Sequence, residues 1–177
     1  MFRTKPDGLY WAGWKRITNV DQMNPRAHNA YLLEPPYERQ WEQFAAAMMQ
    51  IWREGAWTCY IDEAYYLQHS LGLEDSMVKL LTQGRSKDIS VVVGMQRPAW
   101  VTMFALSEPI HLFSFRLGDK RDLRRVGEGV SWEYVDAIQE LGEYQFAYHN
   151  KVTGRTVKGR ADELARVLGG EPIESRS

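Results

Sequence analysis

Apolar residues in this chain fall into short blocks whose period changes several times. Asn29–Glu34 is a brief apolar run closed by Pro35-Pro36, and it predicts a strand. From 37 to 53, Trp41, Phe44, Ala45, Met48 and Trp52 recur at helical spacing, which predicts a helix with one core-facing stripe, stopped by Gly55. Trp57 to Ile61 is almost continuously apolar, as suits a strand covered on both faces, and it ends in Asp62-Glu63. Ala64 to Leu67 leads into a loop or short helix ending near Gly72. A second helix is expected over 74–83, with Glu74 and Asp75 in its first turn, Met77, Leu80 and Leu81 inward, and Gly84 as its stop.

Ile89 to Met95 is β-branched, apolar and bounded by turn residues, the strongest strand pattern in the chain. Pro98 opens a short helix over 98–106, and 109–115 reads as a third strand. Helices are expected over 119–126 and, capped by Ser131, over 132–141, with Tyr134, Val135, Ile138 and Leu141 inward. Tyr144–His149 and 155–158 form a hairpin around Lys151-Val152-Thr153-Gly154. Residues 161–168 read as a last helical turn or two. Residues 1–30 read as a surface excursion packed by tryptophans, with a strand end at Phe2–Lys5 and turns at Pro6-Asp7-Gly8 and Asn24-Pro25-Arg26.

Strand and helix alternate from 30 to 115, which predicts an α/β fold with a mainly parallel sheet and right-handed crossovers. At 177 residues the expectation is one domain over 1–168 with a flexible tail at 169–177. Composition, 44% apolar and 25% charged, is that of a globular chain, and the net charge of −1 supplies no global attraction to nucleic acid. Contact with DNA would need a local patch. Arg121, Arg124 and Arg125 at i, i+3 and i+4 are the candidates. The single cysteine, Cys59, excludes an internal disulfide framework and fits a reducing cytoplasm. The first residues carry no signal-peptide h-region, and no apolar run approaches the ~20 residues of a membrane span.

The chemistry concentrates at Asp62 and Glu63. Open parallel sheets bind ligands at the carboxyl ends of their strands. Two adjacent carboxylates there suit phosphate transfer, one acting on Mg²⁺ through water and the other polarising the attacking water. An acidic pair after a strand is also an ordinary solvated turn. A metal-dependent nuclease using Asp62, Glu63 and Glu34 finds no supporting lysine and carboxylate spacing, and His28, His69, His111 and His149 are too scattered for a metal-ligand pair.

Trp57–Ala64 resembles a Walker B motif with its catalytic glutamate. Leu80–Pro98, with Gly84-Arg85 in its turn and Gln96 after its strand, resembles the segment that follows in FtsK/HerA-type P-loop ATPases. The resemblance covers about residues 30–130. It implies a three-layer, mainly parallel sheet of the ASCE/RecA-like P-loop NTPase type, incomplete at its N-terminus. It implies ATP and Mg²⁺ as cofactors and a homo-oligomeric ring, such as a hexamer, that translocates or packages DNA. Carried over, Asp62 acts on Mg²⁺, Glu63 is the base for water, and Gln96 senses the γ-phosphate or the water. Arg85 resembles the arginine that a subunit presents to its neighbour's ATP.

No Gly-x-x-x-x-Gly-Lys-[Ser/Thr] occurs in the sequence, so the backbone cradle and lysine that hold phosphates in that family are missing. In the family that loop follows a central strand between the two strands that here are 89–95 and 110–115. Three routes account for its absence: a start placed late, a P-loop segment split onto another chain, or a degenerate domain whose strands close up. The first two lead to an ATPase completed by the missing segment. The third leads to a non-catalytic pseudo-ATPase module that assembles with a motor or scaffold.

Overall fold

The computed structural model describes residues 1–2, 13–161 and 163. The expected turn at 6–8 and the tail at 169–177 lie outside the described residues, as do most of the helical turn at 161–168 and the Phe2–Lys5 strand end beyond Phe2. The chain divides into two compact units, Met1–Ala105 and Leu106–Ser177.

The first unit is built on parallel strands. β1 (Lys15–Ile17) pairs with β2 (Tyr31–Leu33), and β3 (Thr58–Ile61) pairs with β4 (Ser90–Val93), both in parallel. Phe2 joins the two pairs. It makes parallel bridges to Leu33 on one side and Ile61 on the other, and its N–H donates to Tyr60 O at 2.9 Å. Helix α1 (Gln40–Glu54) follows a 3₁₀ turn at Tyr37–Arg39 and buries Phe44, Ala47, Met48 and Ile51. Of the expected stripe Phe44 and Met48 are buried, Ala45 and Trp52 are half-buried and Trp41 is exposed, because the buried face is turned toward Ala47 and Ile51. Helix α2 (Glu74–Gln83) has the expected bounds and buries Met77 and Leu80. These side chains close one core with Phe2, Ile17, Leu33, Cys59, Ile61, Leu67 and Ile89.

The second unit is an antiparallel sheet backed by two helices. β5 (His111–Ser114), β6 (Gln145–Asn150) and β7 (Arg155–Arg160) are ordered β5-β6-β7. Helix α5 (Trp132–Gln139) carries the expected cap, Ser131 accepting from Tyr134 N, and helix α4 (Lys120–Gly129) is capped by Asp119, which accepts from Arg121 N. Tyr134, Val135, Ile138, Leu123 and Val126 are buried with Leu112, Ala147 and His149 of the sheet. Lys151 fastens the β6–β7 turn: its Nζ donates to Leu106 O, Ser107 O and Gly129 O at 2.8–2.9 Å. Two of these carbonyls end helix α3 (Phe104–Ser107) and the third ends α4.

The expected strand at 109–115 is present as β5, but it joins the hairpin that follows it, antiparallel, and not β4. β5 ends at Ser114 and β6 begins at Gln145 with α4 and α5 between them, whereas β4 ends at Val93, so the nearer strand in sequence is β4 and loop length does not decide the pairing. β4 pairs with β3 alone among the described residues. Ser90 N donates to Trp57 O and Gly94 N to Ile61 O, so in this parallel ladder the N–H and C=O groups of Val91 and Val93 point the other way, to an edge with no strand on it. Val92 is 47% exposed, where a parallel strand is ordinarily covered on both faces.

Candidate active site at the carboxyl ends of two parallel strands

Parallel pairing with Ile61 opposite Val93 sends β3 and β4 out of the sheet at the same end. Asp62 and Glu63 leave β3 there, and Gln96 leaves β4 three residues past its last paired position. The two exits are stitched together through Gly94. Its N–H donates to Ile61 O at 2.7 Å and its carbonyl accepts from Ala64 N at 3.0 Å. A Cβ on residue 94 would stand 2.5 Å from Asp62 O, so only glycine allows this approach.

Asp62 and Glu63 are each partly exposed and Gln96 is exposed. Burial, followed by the charge of Asp62, raises the pKa of the Tyr60 phenol two residues back on β3. Glu63 O accepts from Leu67 N as the chain turns into helix, and a π-helical turn follows over Tyr66–Ser70. Single π turns recur at functional sites. Here the turn aims two polar side chains at the segment beyond β4. Buried Gln68 accepts from Thr102 N at 2.9 Å, and His69 Nε2 lies 2.7 Å from Trp100 O. Tyr65, His69 and Trp100 form an aromatic group, with the Arg97 guanidinium 4.4 Å from the Trp100 ring centre. These ties between the Glu63 and Gln96 segments escaped the sequence reading. A Gln inside an apolar turn was their only signal.

Arg85 lies elsewhere. It is exposed in a 3₁₀ turn at Gly84–Lys87 that precedes β4, so it sits at the opposite end of the strand pair from Asp62, Glu63 and Gln96. Four paired residues separate the ends, roughly 13 Å at strand rise. That turn is anchored to the end of α1, where Ala56 N donates to Lys87 O at 2.9 Å and a Cβ on Gly55 would meet the same oxygen at 2.7 Å.

The three arginines of α4 differ from one another. Arg124 Nε donates to Glu128 at 2.8 Å, Arg121 lies 3.7 Å from Asp119, and Arg125 has its Nε buried. Glu34 is paired with Arg16 at 2.9 Å. Among the described residues no three His, Cys, Asp or Glu side chains are placed to hold a metal ion, and no helix is long and apolar enough to cross a membrane. Cys59 is buried in β3, where desolvation pushes its thiol up to about 12.

Over 102 residues, 58% of its length, the chain is 33% identical to the DNA packaging ATPase P9 of Enterobacteria phage PRD1. Over that stretch the chain is similar to a viral DNA packaging ATPase. It spans 44% of the length of P9, less than half of that curated relative. No family model matches it. Its fold is similar to that of the genome packaging NTPase B204 of Sulfolobus turreted icosahedral virus 2. With B204 bound to AMP the TM-score is 0.64 at 15% identity, over 90% of this chain and 74% of that one. With B204 bound to ATP-gammaS it is 0.63 at 16% identity, over 82% and 74%. The B204 DNA-packaging ATPase from Sulfolobus turreted icosahedral virus gives 0.57 at 16% identity, over 81% and 67%. The resemblance to a packaging ATPase of FtsK/HerA type and the α/β fold class both hold. The sheets of the described residues are smaller than the three-layer sheet that the resemblance implies.

Proposed function

We propose that this chain is part of the motor subunit of an ATP-driven DNA-packaging machine, and that a phosphate-binding segment from outside the 177 residues completes its site. The observation that carries the reading is the meeting of Asp62-Glu63 and the Gln96 segment at one end of a parallel strand pair, held there by Gly94. Glu63 is the base that polarises the attacking water, and Gln96 orients that water or the γ-phosphate. Asp62 faces the cation side. Two partly exposed carboxylates suit Mg²⁺, which keeps several waters and takes its remaining ligands from nucleotide phosphates. Bound there with ATP, Mg²⁺ would supply charge neutralisation to the phosphates. The open edge of β4 offers outward backbone groups to an added strand, and such a strand would end beside Gly94.

Arg85 has no route to its own site from the far end of the strand pair. It acts on a neighbour's nucleotide, which requires a ring of subunits, for example a hexamer. DNA in such a ring would meet Arg121, Arg124 and Arg125, the first two only where Asp119 and Glu128 let go.

The test is steady-state ATP hydrolysis by the chain joined to a phosphate-loop segment, wild type against Glu63→Gln. Loss of a general base lowers turnover by about 10²-fold or more. Equal turnover in both proteins overturns the reading. The missing Gly-rich Lys loop favours a second reading, a pseudo-ATPase module that binds a motor or scaffold. Calorimetric titration of the full chain with Mg-ATP separates the two: the module binds nothing with or without the added segment, whereas the motor binds once the segment is present.

A further inference from the structure

The turn after Glu63 carries a polar pair whose presence packing alone does not explain. Gln68 is buried, as is Leu67 beside it, and so are Pro98 and Val101 of the segment it reaches. An apolar side chain at 68 would pack there without the cost of desolvating an amide. Gln68 offsets that cost with one directed bond: its Oε1 accepts from Thr102 N at 2.9 Å. His69 makes a second. Its Nε2 lies 2.7 Å from Trp100 O, so that nitrogen carries the proton and donates. Gln68 Nε2, 3.3 Å from the same nitrogen, is a donor too, so the two side chains do not bond each other there. Each holds the segment beyond β4 by a bond of its own.

The backbone is shaped for this. Adjacent side chains on an α-helix diverge by about 100°. The π turn over Tyr66–Ser70, closed by Leu71 N donating to Tyr66 O at 3.1 Å, holds an extra residue and narrows that angle, so Gln68 and His69 reach one segment together. Their bonds form the second of two clamps. The first is Gly94, whose N–H reaches Ile61 O and whose carbonyl takes Ala64 N, which fixes Glu63. Gln96 lies beyond Gly94 and would swing about it if the far end of its segment were loose. The second clamp ties that far end to the turn that Glu63 itself opens by accepting from Leu67 N at 3.2 Å. The Arg97 guanidinium, 4.4 Å from the Trp100 ring centre, carries the hold back to the residue beside Gln96.

We infer that Gln68 and His69 are positioning residues for water activation: they hold residues 97–102 against the turn that follows Glu63 and so set how the exposed Gln96 approaches that carboxylate. This rests on the reading above that Glu63 and Gln96 act together on the attacking water. Burial of Pro98 and Val101 keeps the segment on the core but is non-directional. The two bonds fix its register. That register matters because a misplacement of about 1 Å by a change away from the chemistry can lower a rate by about 10²-fold. Gln68 and His69 act through Glu63 and Gln96, which are the groups that meet water and phosphate.

The test has two parts. In the full chain a nitroxide on Gln96→Cys reports the motion of that position, since Cys59 is buried and escapes labelling. Gln68→Met loses the acceptor and His69→Phe the donor, each at similar size, and each should sharpen the spin-label spectrum. Gln68→Glu keeps the acceptor and should leave the spectrum unchanged. In the chain joined to a phosphate-loop segment, Gln68→Met and His69→Phe should lower kcat by about 10- to 100-fold at unchanged KM. Gln68→Glu should keep turnover. Neither loss should add to that of Glu63→Gln, because a positioning residue acts through the group it positions. Unchanged label motion overturns the inference, as does a loss in KM in place of kcat or a full further loss on top of Glu63→Gln. If Gln68→Met does not fold, His69→Phe, at an exposed position, decides. Turnover that depends on Glu63 but on neither Gln68 nor His69 overturns the inference alone. No turnover, or turnover indifferent to Glu63, overturns the reading above and the inference with it.

Discussion

The Asp62 carbonyl oxygen fills the space where a side chain on Gly94 would begin. The strand that delivers the carboxylates and the strand that delivers Gln96 therefore separate only after passing within backbone contact. Gly94→Ala forces that contact apart, and the expected cost is about 1–3 kcal/mol by analogy with overpacked interiors. Urea unfolding followed by tryptophan fluorescence measures it. A variant as stable as wild type would show that the turn relaxes freely.

Gln68 ties the turn after Glu63 to the segment after Gln96 through one bond to Thr102 N. Gln68→Ala removes the acceptor and leaves a partly buried N–H without its partner, at a cost of about 1 kcal/mol. Exchange of the Thr102 amide should accelerate while amides in α1 stay protected.

Lys151 donates to three backbone carbonyls, and burial lowers its pKa. Lys151→Met keeps the length of the side chain and loses every donor. Hydrogen bonds to a charged group are worth ~1.5–3 kcal/mol, so the second unit should unfold at lower denaturant while the first is unaffected. Site-resolved exchange separates the two, because Ile138 and Ala147 report on one unit and Phe44 and Ile61 on the other.

Cys59 supplies a probe of the first unit. With its thiol pushed up to about 12 by burial, protonation is favoured throughout the usual working range. At pH 8 only ~1 in 10⁴ molecules carries the reactive thiolate, against about a quarter for a free cysteine. Alkylation by iodoacetamide should thus follow opening of the unit, rising steeply with urea. Rapid labelling of the native chain would contradict the packing around β3.

The helices were legible because their signals are local. Met77 and Leu80 at helical spacing and Gly84 behind them are sufficient to bound α2. The Ser131 cap likewise starts α5. Strand positions were legible too, since the β-branched block at 89–95 resists other conformations. Strand partners were not. β5 carries the same apolar run whether it extends a parallel sheet or pairs with the later hairpin, and contacts between residues far apart in the chain decide between them. The bridging of β2 and β3 by Phe2 was equally hidden, since a single residue has no period.

For the site, sequence alone determined which residue types are present and in what order: two carboxylates after a buried strand, an arginine in the following turn, a glutamine after the next strand, and no phosphate-binding loop. Those are properties of neighbours along the chain. Tertiary structure decided that Asp62, Glu63 and Gln96 leave the sheet at one end while Arg85 stands at the other, and that β4 and β5 each present an edge unpaired among the described residues. These follow from parallel register and from which strands meet. Both are set by contacts between residues far apart in the chain, where local periodicity carries no information.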